Sequence, residues 1–191
     1  RIEGLAVTLI EIDPALAALA RQNAKRNGLA ARVRSVCLDV TAPAVTLAGA
    51  GLEPETADHV LMNPPFNAPH NPSPDRGRRL ARTASDDTLR RWLHTTAWLL
   101  RPSGTVTLIW RADEVDDVGA ALADGFGAIR LKPIHGKPNA PAIRVLARAM
   151  KGASAPLARL PGLVLADADG KPTAEAEAIL RQGAALPLAN G

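Results

Sequence analysis

Three short apolar runs, each with a polar residue at or next to its carboxyl end, constrain the fold of this chain most strongly. Their ranges and polar ends are 5–12 with Glu11, 33–39 with Asp39, and 57–62 followed by Asn63. Apolar runs of this length are typical of strands buried in a parallel sheet. Ligands of open α/β sheets bind at the carboxyl ends of the strands, so the three polar side chains predict a binding site at one sheet edge.

The first run leads directly into a predicted helix. Asp13 is a good N-cap, and Asn27-Gly28 is a typical helix end. In a nucleotide-binding sheet, an acid at the end of the second strand accepts hydrogen bonds from the ribose hydroxyls, and Glu11 has this position. The alternative is that Glu11 and Asp13 only stabilise the helix N-terminus, where negative charge is favourable by about 0.3–1 kcal/mol. The presence of Asn63 further along favours the binding role.

The third run is followed by Asn63-Pro64-Pro65-Phe66. Pro65 has no N–H, and Pro64 biases Asn63 away from the helical region, so the backbone is extended with its carbonyls pointing outward. The Asn63 side-chain oxygen and the Pro64 carbonyl can accept both hydrogens of an exocyclic amine, while Phe66 stacks on the ring that carries it. The alternative is a strand that ends in a proline-stiffened turn.

With these motifs, the chain resembles the class I S-adenosylmethionine-dependent methyltransferases, specifically the amino-methylating branch with Asn/Asp-Pro-Pro-aromatic. Within that branch it is most similar to the bacterial tRNA (adenine-N6)-methyltransferases that modify an adenine beside the anticodon of a valine tRNA. The segments that carry the resemblance are LIEIDPALAALARQNAKRNG, LMNPPFNAP, SPDRGRRLAR, LLRPSGTVTLIWRADE and LPGLVLADADGKPTAEAEAIL.

The resemblance implies S-adenosylmethionine as the cofactor and assigns roles to individual residues. Glu11 would take the cofactor ribose and Asp39 its adenine. The implied cofactor-binding residues are Glu11, Ile12, Asp39, Val40 and Asn63, and the implied catalytic residues are Asn63, Pro64, Pro65 and Phe66.

One part of the family pattern has no counterpart here. The family has a Gly-rich loop after its first, central strand, and nothing before Leu5 supplies that strand or loop. We therefore expect an amino-terminally incomplete methyltransferase domain, with a gap between the strands that end at Glu11 and Asn63. We expect this single domain to span residues 1–191, with residues 152–191 as a carboxyl-terminal extension that packs on the core.

The remaining pattern predicts the scaffold. The predicted elements are a helix from Asp86 or Asp87 to Leu100, a turn at 102–104, a strand at 105–110, a helix at 113–123, paired strands at 126–134 and 142–150, a polar turn at 167–170 and a short helix at 174–181. Alternating strands and helices that end in a hairpin indicate an α/β fold, a Rossmann-like sheet that is mostly parallel with one antiparallel strand.

Composition favours a cytoplasmic enzyme with one core. Of the 191 residues, 47% are hydrophobic, and no apolar stretch approaches the roughly 18 residues that a membrane span needs. The only cysteine, Cys37, is predicted to be a small core residue in a strand. The spacing of His59, His70, His94 and His135 does not match a zinc site, so we predict no metal.

Positive charge is concentrated around the Asn-Pro-Pro-Phe motif. Residues 63–151 contain 14 Lys and Arg against 8 Asp and Glu. This excess predicts a nucleic-acid partner, with a solvated surface as the alternative. The candidate contacts lie in a predicted Arg-rich loop after the motif and in a second Pro/Gly-rich loop, and they are Arg76, Arg78, Arg79, Arg82 and Lys137.

Other substrates remain open at this stage. The same tetrapeptide would serve guanine N2 of ribosomal RNA, adenine in DNA or a glutamine side chain of a protein, although the basic loops count against the last of these. A non-catalytic RNA-binding protein without a cofactor loop is the remaining alternative.

Overall fold

The structure is a computed structural model that describes residues 4–64 and 76–188, with side chains described at 4–64 and 87–188. The chain divides into two compact units, Arg1–Pro54 and Glu55–Gly191. The single domain expected over residues 1–191 therefore stays a prediction, and each unit is described by itself.

The first unit is a two-stranded parallel sheet with two helices. Its elements are β1 (Val7–Glu11), α1 (Pro14–Arg26), β2 (Val33–Cys37) and α2 (Ala44–Gly49). The strands pair in register from Val7 opposite Val33 to Glu11 opposite Cys37. Asp13 caps α1 as predicted, since its Oδ1 accepts hydrogen bonds from the backbone N–H groups of Ala15 at 2.7 Å and Leu16 at 3.2 Å.

The prediction that Cys37 is a core residue is wrong. Cys37 is exposed, and its Sγ lies 3.7 Å from the carbonyl oxygen of Ile12. It is the last residue of β2. The run of apolar residues around it predicted the strand correctly, but a strand end is less covered than a strand centre.

The second unit is built on a six-stranded sheet. Its elements are β3 (Ala57–Met62), α3 (Arg76–Leu99), β4 (Leu100–Arg111), a 3-10 turn (Ala112–Glu114), α4 (Val115–Leu122), β5 (Phe126–His135), β6 (Ala142–Lys151), β7 (Ala158–Arg159), β8 (Leu163–Val164) and α5 (Ala174–Leu180). The strand order is β3-β4-β6-β5-β7, and β8 also pairs with β5. Only β6 runs antiparallel to its neighbours. The predicted α/β fold, mostly parallel with one reversed strand, is confirmed.

Two boundaries differ from the sequence prediction. Helix α3 begins at Arg76, about ten residues before the predicted start, so the backbone of the supposed Arg-rich loop from Arg76 to Arg82 is helical. Arg, Leu and Ala dominate that stretch and are strong helix formers, which the loop prediction underweighted.

The predicted turn at 102–104 lies within β4 instead. The pairing moves from Ala57 opposite Leu100 to His59 opposite Thr105, so β4 contains three extra residues at this point. Ser103 has a φ of 63°, and a Cβ on Gly104 would lie 2.8 Å from the carbonyl oxygen of Arg101. The Pro-Ser-Gly signal therefore marks a bulge that bends the strand without ending it.

The core of the second unit lies between α3, α4 and one face of the sheet. Leu89 and Leu93 of α3 are buried, as predicted, and they belong to one cluster with Leu108 and Trp110 of β4 and Val118 of α4. Because residues alternate between faces along β4, Thr107 and Ile109 face away from this core.

A buried acid accepts the hydrogen bond of the largest core side chain, Trp110. Trp110 donates its indole N–H to Glu114 Oε2 at 2.8 Å, and Glu114 is only 4% exposed. Glu114→Ala should lower the free energy of unfolding by about 1–3 kcal/mol, because the indole N–H would lose its acceptor inside the protein. Glu114→Gln retains an acceptor oxygen for the indole N–H, so its free energy of unfolding should fall clearly less. Urea denaturation of both variants checks this, and equal losses would contradict it.

In the carboxyl-terminal segment from 152 to 188, residues 158–165 lie along the side of β5 that faces away from β6. Leu160 N–H donates to the Leu131 carbonyl at 2.8 Å, and Leu165 N–H donates to the His135 carbonyl at 2.9 Å. Between these two points, Lys132, which is 4% exposed, donates its Nζ hydrogen to the carbonyl of Pro161 at 3.0 Å. Backbone and side-chain hydrogen bonds thus attach the segment to the sheet.

Candidate cofactor and amine sites

In the first unit, the two predicted acidic residues lie at the same edge of the sheet. Glu11 is the last residue of β1, and Asp39 follows β2 by two residues. The strands are still joined there, because Leu38 N–H donates to the Glu11 carbonyl at 2.9 Å. The parallel pairing therefore brings Glu11 and Asp39 to neighbouring strand ends, as the sequence predicted.

Glu11 is half-buried and oriented by its own backbone turn. Its Oε1 accepts a hydrogen bond from the N–H of Asp13 at 2.9 Å. Glu11 thus also stabilises the entry into α1, as the alternative interpretation held. The two roles are compatible, because within the described residues Glu11 Oε2 makes no hydrogen bond and remains able to accept one from a ligand hydroxyl.

Asp39 and Ile12 complete this edge. Asp39 Oδ1 accepts hydrogen bonds from both the backbone N–H and the hydroxyl of Thr41, each at 2.8 Å, which fixes the carboxylate in a turn. Ile12 is 66% exposed, and Val40 is half-buried. Two carboxylates held at neighbouring strand ends can accept hydrogen bonds from the hydroxyl or amino groups of a ligand.

In the second unit, Asn63 follows β3 and is exposed, whereas the next residue, Pro64, is almost completely buried. The buried ring anchors the chain at the point where the amide is presented. Asn63 borders an open cleft of about 310 Å³. The lining residues are Leu61, Met62, Asn63, Thr107, Leu108, Ile109 and Leu146. An amide at the rim of an apolar cleft can orient a ligand that is flat and carries hydrogen-bond donors.

For several predicted site residues, the role in the site stays a prediction. Pro65 and Phe66 lie outside the described residues, and so do the side chains of Arg76, Arg78, Arg79 and Arg82. Lys137 is described, and it is exposed in the connection between β5 and β6. The relation of Asn63 to Glu11 and Asp39 also stays a prediction, since these residues belong to different units.

An arginine at the carboxyl end of β4 was not among the predicted site residues. Arg111 lies directly opposite Arg144 of β6, an arrangement of like charges that is unfavourable by itself. Asp113 offsets it, because Arg111 donates from Nε to Asp113 Oδ1 at 3.0 Å and from Nη2 to Oδ2 at 2.6 Å. This hydrogen-bonded pair raises the pKa of Arg111. An Arg-x-Asp pattern after an apolar strand was the available signal.

Two kinds of feature are absent from the part of the chain that the structure describes. There is no group of three or more His, Cys, Asp or Glu side chains arranged to hold a metal ion. None of the described helices combines the length and the apolar character needed to cross a bilayer.

The sheet order, the single reversed strand and the polar strand ends define the Rossmann-like fold of the class I methyltransferases. A predicted O-methyltransferase from Agrobacterium tumefaciens has this fold, with a TM-score of 0.80 and 27% identity over 97% of this chain and 82% of that chain. TrmN from Thermus thermophilus aligns with a TM-score of 0.53 and 21% identity, over 76% of this chain and 36% of that chain.

A third structure of the same fold has a product bound. The N-methyltransferase NodS from Bradyrhizobium japonicum, in complex with S-adenosyl-L-homocysteine, aligns with a TM-score of 0.50 and 14% identity, over 78% of this chain and 67% of that chain. No protein-family model matches the chain, and no curated protein matches its sequence.

Proposed function

We propose that this protein is an S-adenosylmethionine-dependent methyltransferase that methylates N6 of an adenine in RNA, beside the anticodon of a valine tRNA in the cytoplasm. The observation that carries the proposal is the exposed Asn63 amide, fixed by the buried Pro64 at the carboxyl end of β3 and bordering an open cleft. The methyltransferase fold indicates the class of reaction. Asn63 and Pro64 indicate that the substrate atom that receives the methyl group is an amino nitrogen.

The residues at the ends of β1 and β2 would hold the cofactor. Glu11 would accept hydrogen bonds from the ribose hydroxyls, and Asp39 would accept one from the adenine amino group, with Ile12 and Val40 beside the base. Bound S-adenosylmethionine supplies the methyl group as a sulfonium electrophile. The N-methyltransferase NodS, whose structure contains S-adenosyl-L-homocysteine, supports this cofactor.

The weak nucleophilicity of an aromatic amine explains the need for Asn63 and Pro64. The lone pair of the amino nitrogen is delocalised into the ring. When the Asn63 side-chain oxygen and the Pro64 carbonyl accept both N–H hydrogens, they favour a pyramidal nitrogen whose lone pair can attack. The nitrogen is cationic after transfer and then loses a proton readily, so no strong base is required. Positioning and electrostatic complementarity make the main contributions.

Two further observations favour an amine on RNA. A pair of acceptors matches the two hydrogens of an amino group, whereas a hydroxyl has only one, so nitrogen fits this site better than the oxygen acceptor of the Agrobacterium protein's description. Exposed Lys137 and the pair Arg111 and Arg144 lie at the edge of the sheet where β4 and β5 end. Positive groups at this edge suit phosphates near the target base.

The test is transfer of labelled methyl from S-adenosylmethionine to total tRNA, ribosomal RNA, DNA and a protein release factor by the full-length gene product. Digestion of the labelled product to nucleosides identifies the modified atom. N6-methyladenosine in tRNA would support the proposal. N2-methylguanosine in ribosomal RNA or N6-methyladenine in DNA would show that the substrate is that nucleic acid and not tRNA. Labelled protein would show that the substrate is a protein.

Glu11→Ala should weaken S-adenosylmethionine binding by roughly 10- to 100-fold, because hydrogen bonds donated to a charged acceptor contribute about 1.5–3 kcal/mol each. Glu11→Gln retains one acceptor oxygen and should lose less. Calorimetric titration measures both dissociation constants. Asp124→Ala, which removes an exposed carboxylate from the turn after α4, is the matched control. Unchanged affinity in Glu11→Ala would remove Glu11 from the cofactor site.

A further inference from the structure

The connection between β5 and β6 ends in a tight turn, Lys137-Pro138-Asn139-Ala140. Ala140 N–H donates to the Lys137 carbonyl at 3.3 Å, and Asn139 has a φ of 58°. A type II turn requires a positive φ at its third position and often has proline at its second, and Asn tolerates a positive φ better than most residues. The local sequence therefore determines the turn, and Lys137 is its exposed first residue.

His135, the last residue of β5, hydrogen-bonds to the last residue of the turn. Its Nδ1 lies 2.8 Å from the carbonyl oxygen of Ala140. A carbonyl can only accept, so Nδ1 carries the hydrogen and donates it. This bond joins the strand end to the far end of the turn, in addition to the weak backbone bond within the turn.

The carboxyl-terminal segment holds the other side of the His135 ring. A Cβ built on Gly162 would lie 2.7 Å from both Cδ2 and Nε2 of His135, so a side chain at position 162 would displace the ring. The backbone around the ring is fixed as well, because Leu165 N–H donates to the His135 carbonyl at 2.9 Å and Ala166 N–H donates to the Gly136 carbonyl at 3.1 Å. The ring is therefore wedged between the turn and the segment.

The direction of the strands places this turn at the same end of the sheet as Asn63, three strands away in the order β3-β4-β6-β5. β3 and β4 are parallel, β6 is antiparallel to both β4 and β5, and β5 therefore runs in the direction of β3. The turn after β5 consequently lies at the same edge of the sheet as Asn63, which follows β3. Lys137 is thus a positive group at the edge where the proposed target amine enters.

We propose that His135 is a positioning residue that, held by Gly162, fixes the Lys137–Ala140 turn so that the Lys137 ammonium contacts a phosphate of the nucleic-acid substrate. This inference rests on the proposed function. Without the Nδ1 hydrogen bond, the turn samples other positions, and the contact is lost although Lys137 is still present.

The test is a double-mutant cycle on binding of unfractionated bacterial tRNA to the full-length gene product, measured by fluorescence anisotropy at several salt concentrations. Lys137→Ala and His135→Ala should each weaken binding roughly three- to tenfold and lower the salt slope by about one, the signature of one lost phosphate contact. The double variant should bind no more weakly than Lys137→Ala. His135→Asn, whose amide can donate near the Nδ1 position, should bind within about twofold of the wild type.

A second readout follows the turn itself. Amide hydrogen exchange in residues 136–141 should accelerate in His135→Ala and not in His59→Ala, the matched control, whose Nδ1 lies 2.6 Å from Thr105 Oγ1 within the sheet. Three results would overturn the inference. The first is a double variant whose loss of affinity is the product of the two single losses, the second is normal tRNA binding in Lys137→Ala, and the third is unchanged exchange in His135→Ala.

If the wild type binds no tRNA, the proposed substrate fails. In that case, accelerated exchange would still establish that His135 holds the turn, and unchanged exchange would refute that role too.

Discussion

Asn63→Ala is expected to lower kcat for methyl transfer by about 10²–10³-fold, the usual loss when one preorganised polar group is removed from a reacting centre. The affinity for tRNA should stay within about twofold, because phosphate contacts supply most nucleic-acid affinity and Asn63 is not among them. The variant should unfold at the wild-type temperature, since Asn63 is exposed and the anchoring residue Pro64 is unchanged.

Single-turnover kinetics at saturating tRNA and S-adenosylmethionine measure this effect. Asn63→Asp keeps an acceptor oxygen in the same place and should lose less rate than the alanine variant. Normal turnover in Asn63→Ala would refute the mechanism. A loss that appears only as weaker tRNA binding would assign Asn63 to substrate recognition.

Gly127→Ala is expected to cause the largest loss of stability, about 3 kcal/mol or more, corresponding to a melting temperature lower by roughly 6–12 °C. A Cβ at this position would lie 1.9 Å from the carbonyl oxygen and 2.6 Å from the carbonyl carbon of Ala153. These are backbone atoms of the chain that leaves β6, so relief of the clash requires the start of the carboxyl-terminal segment to move away from β5.

Differential scanning calorimetry measures the effect, with Gly136→Ala as the matched control at the other end of β5. A Cβ on Gly136 would meet only Ile143 Cδ1, at 3.9 Å, an ordinary contact. The control should therefore stay close to the wild type. Equal melting temperatures for the two variants would show that the segment moves freely, contrary to its hydrogen bonds with β5.

Local signals explain which elements could be predicted. The cap at Asp13, the helix end at Asn27-Gly28 and the alternation of apolar strands with helices are properties of neighbouring residues. They predicted β1, α1 and β2 of the first unit and the hairpin of β5 and β6, whereas α2 was not predicted. The bulge at 102–104 was mistaken for a turn, because Pro-Ser-Gly is compatible with both. Only the pairing of β3 with β4 on either side decides between them.

The same distinction applies to the candidate sites. The positions of Glu11, Asp39 and Asn63 at strand ends could be predicted because polar residues that follow apolar strands are visible in the sequence, whereas their roles in binding stay predictions. The hydrogen bond from Asp13 N–H to Glu11 was implicit in the alternative interpretation of the two acids. The contact of His135 with Gly162 joins positions 27 residues apart, and no local pattern in either place indicates it.

The two-residue strands β7 and β8 have a further consequence for the association of one protein molecule with another. β5 has ten residues, and its side away from β6 pairs with β7 and β8 at Arg130, Leu131, Ile134 and His135. Without this cover, β5 would present a long edge of unpaired N–H and C=O groups that another chain could extend. The covering strands are too short to serve as such a template themselves. We therefore expect the segment after β6 to limit aggregation, and we expect substitutions that detach it to lower solubility.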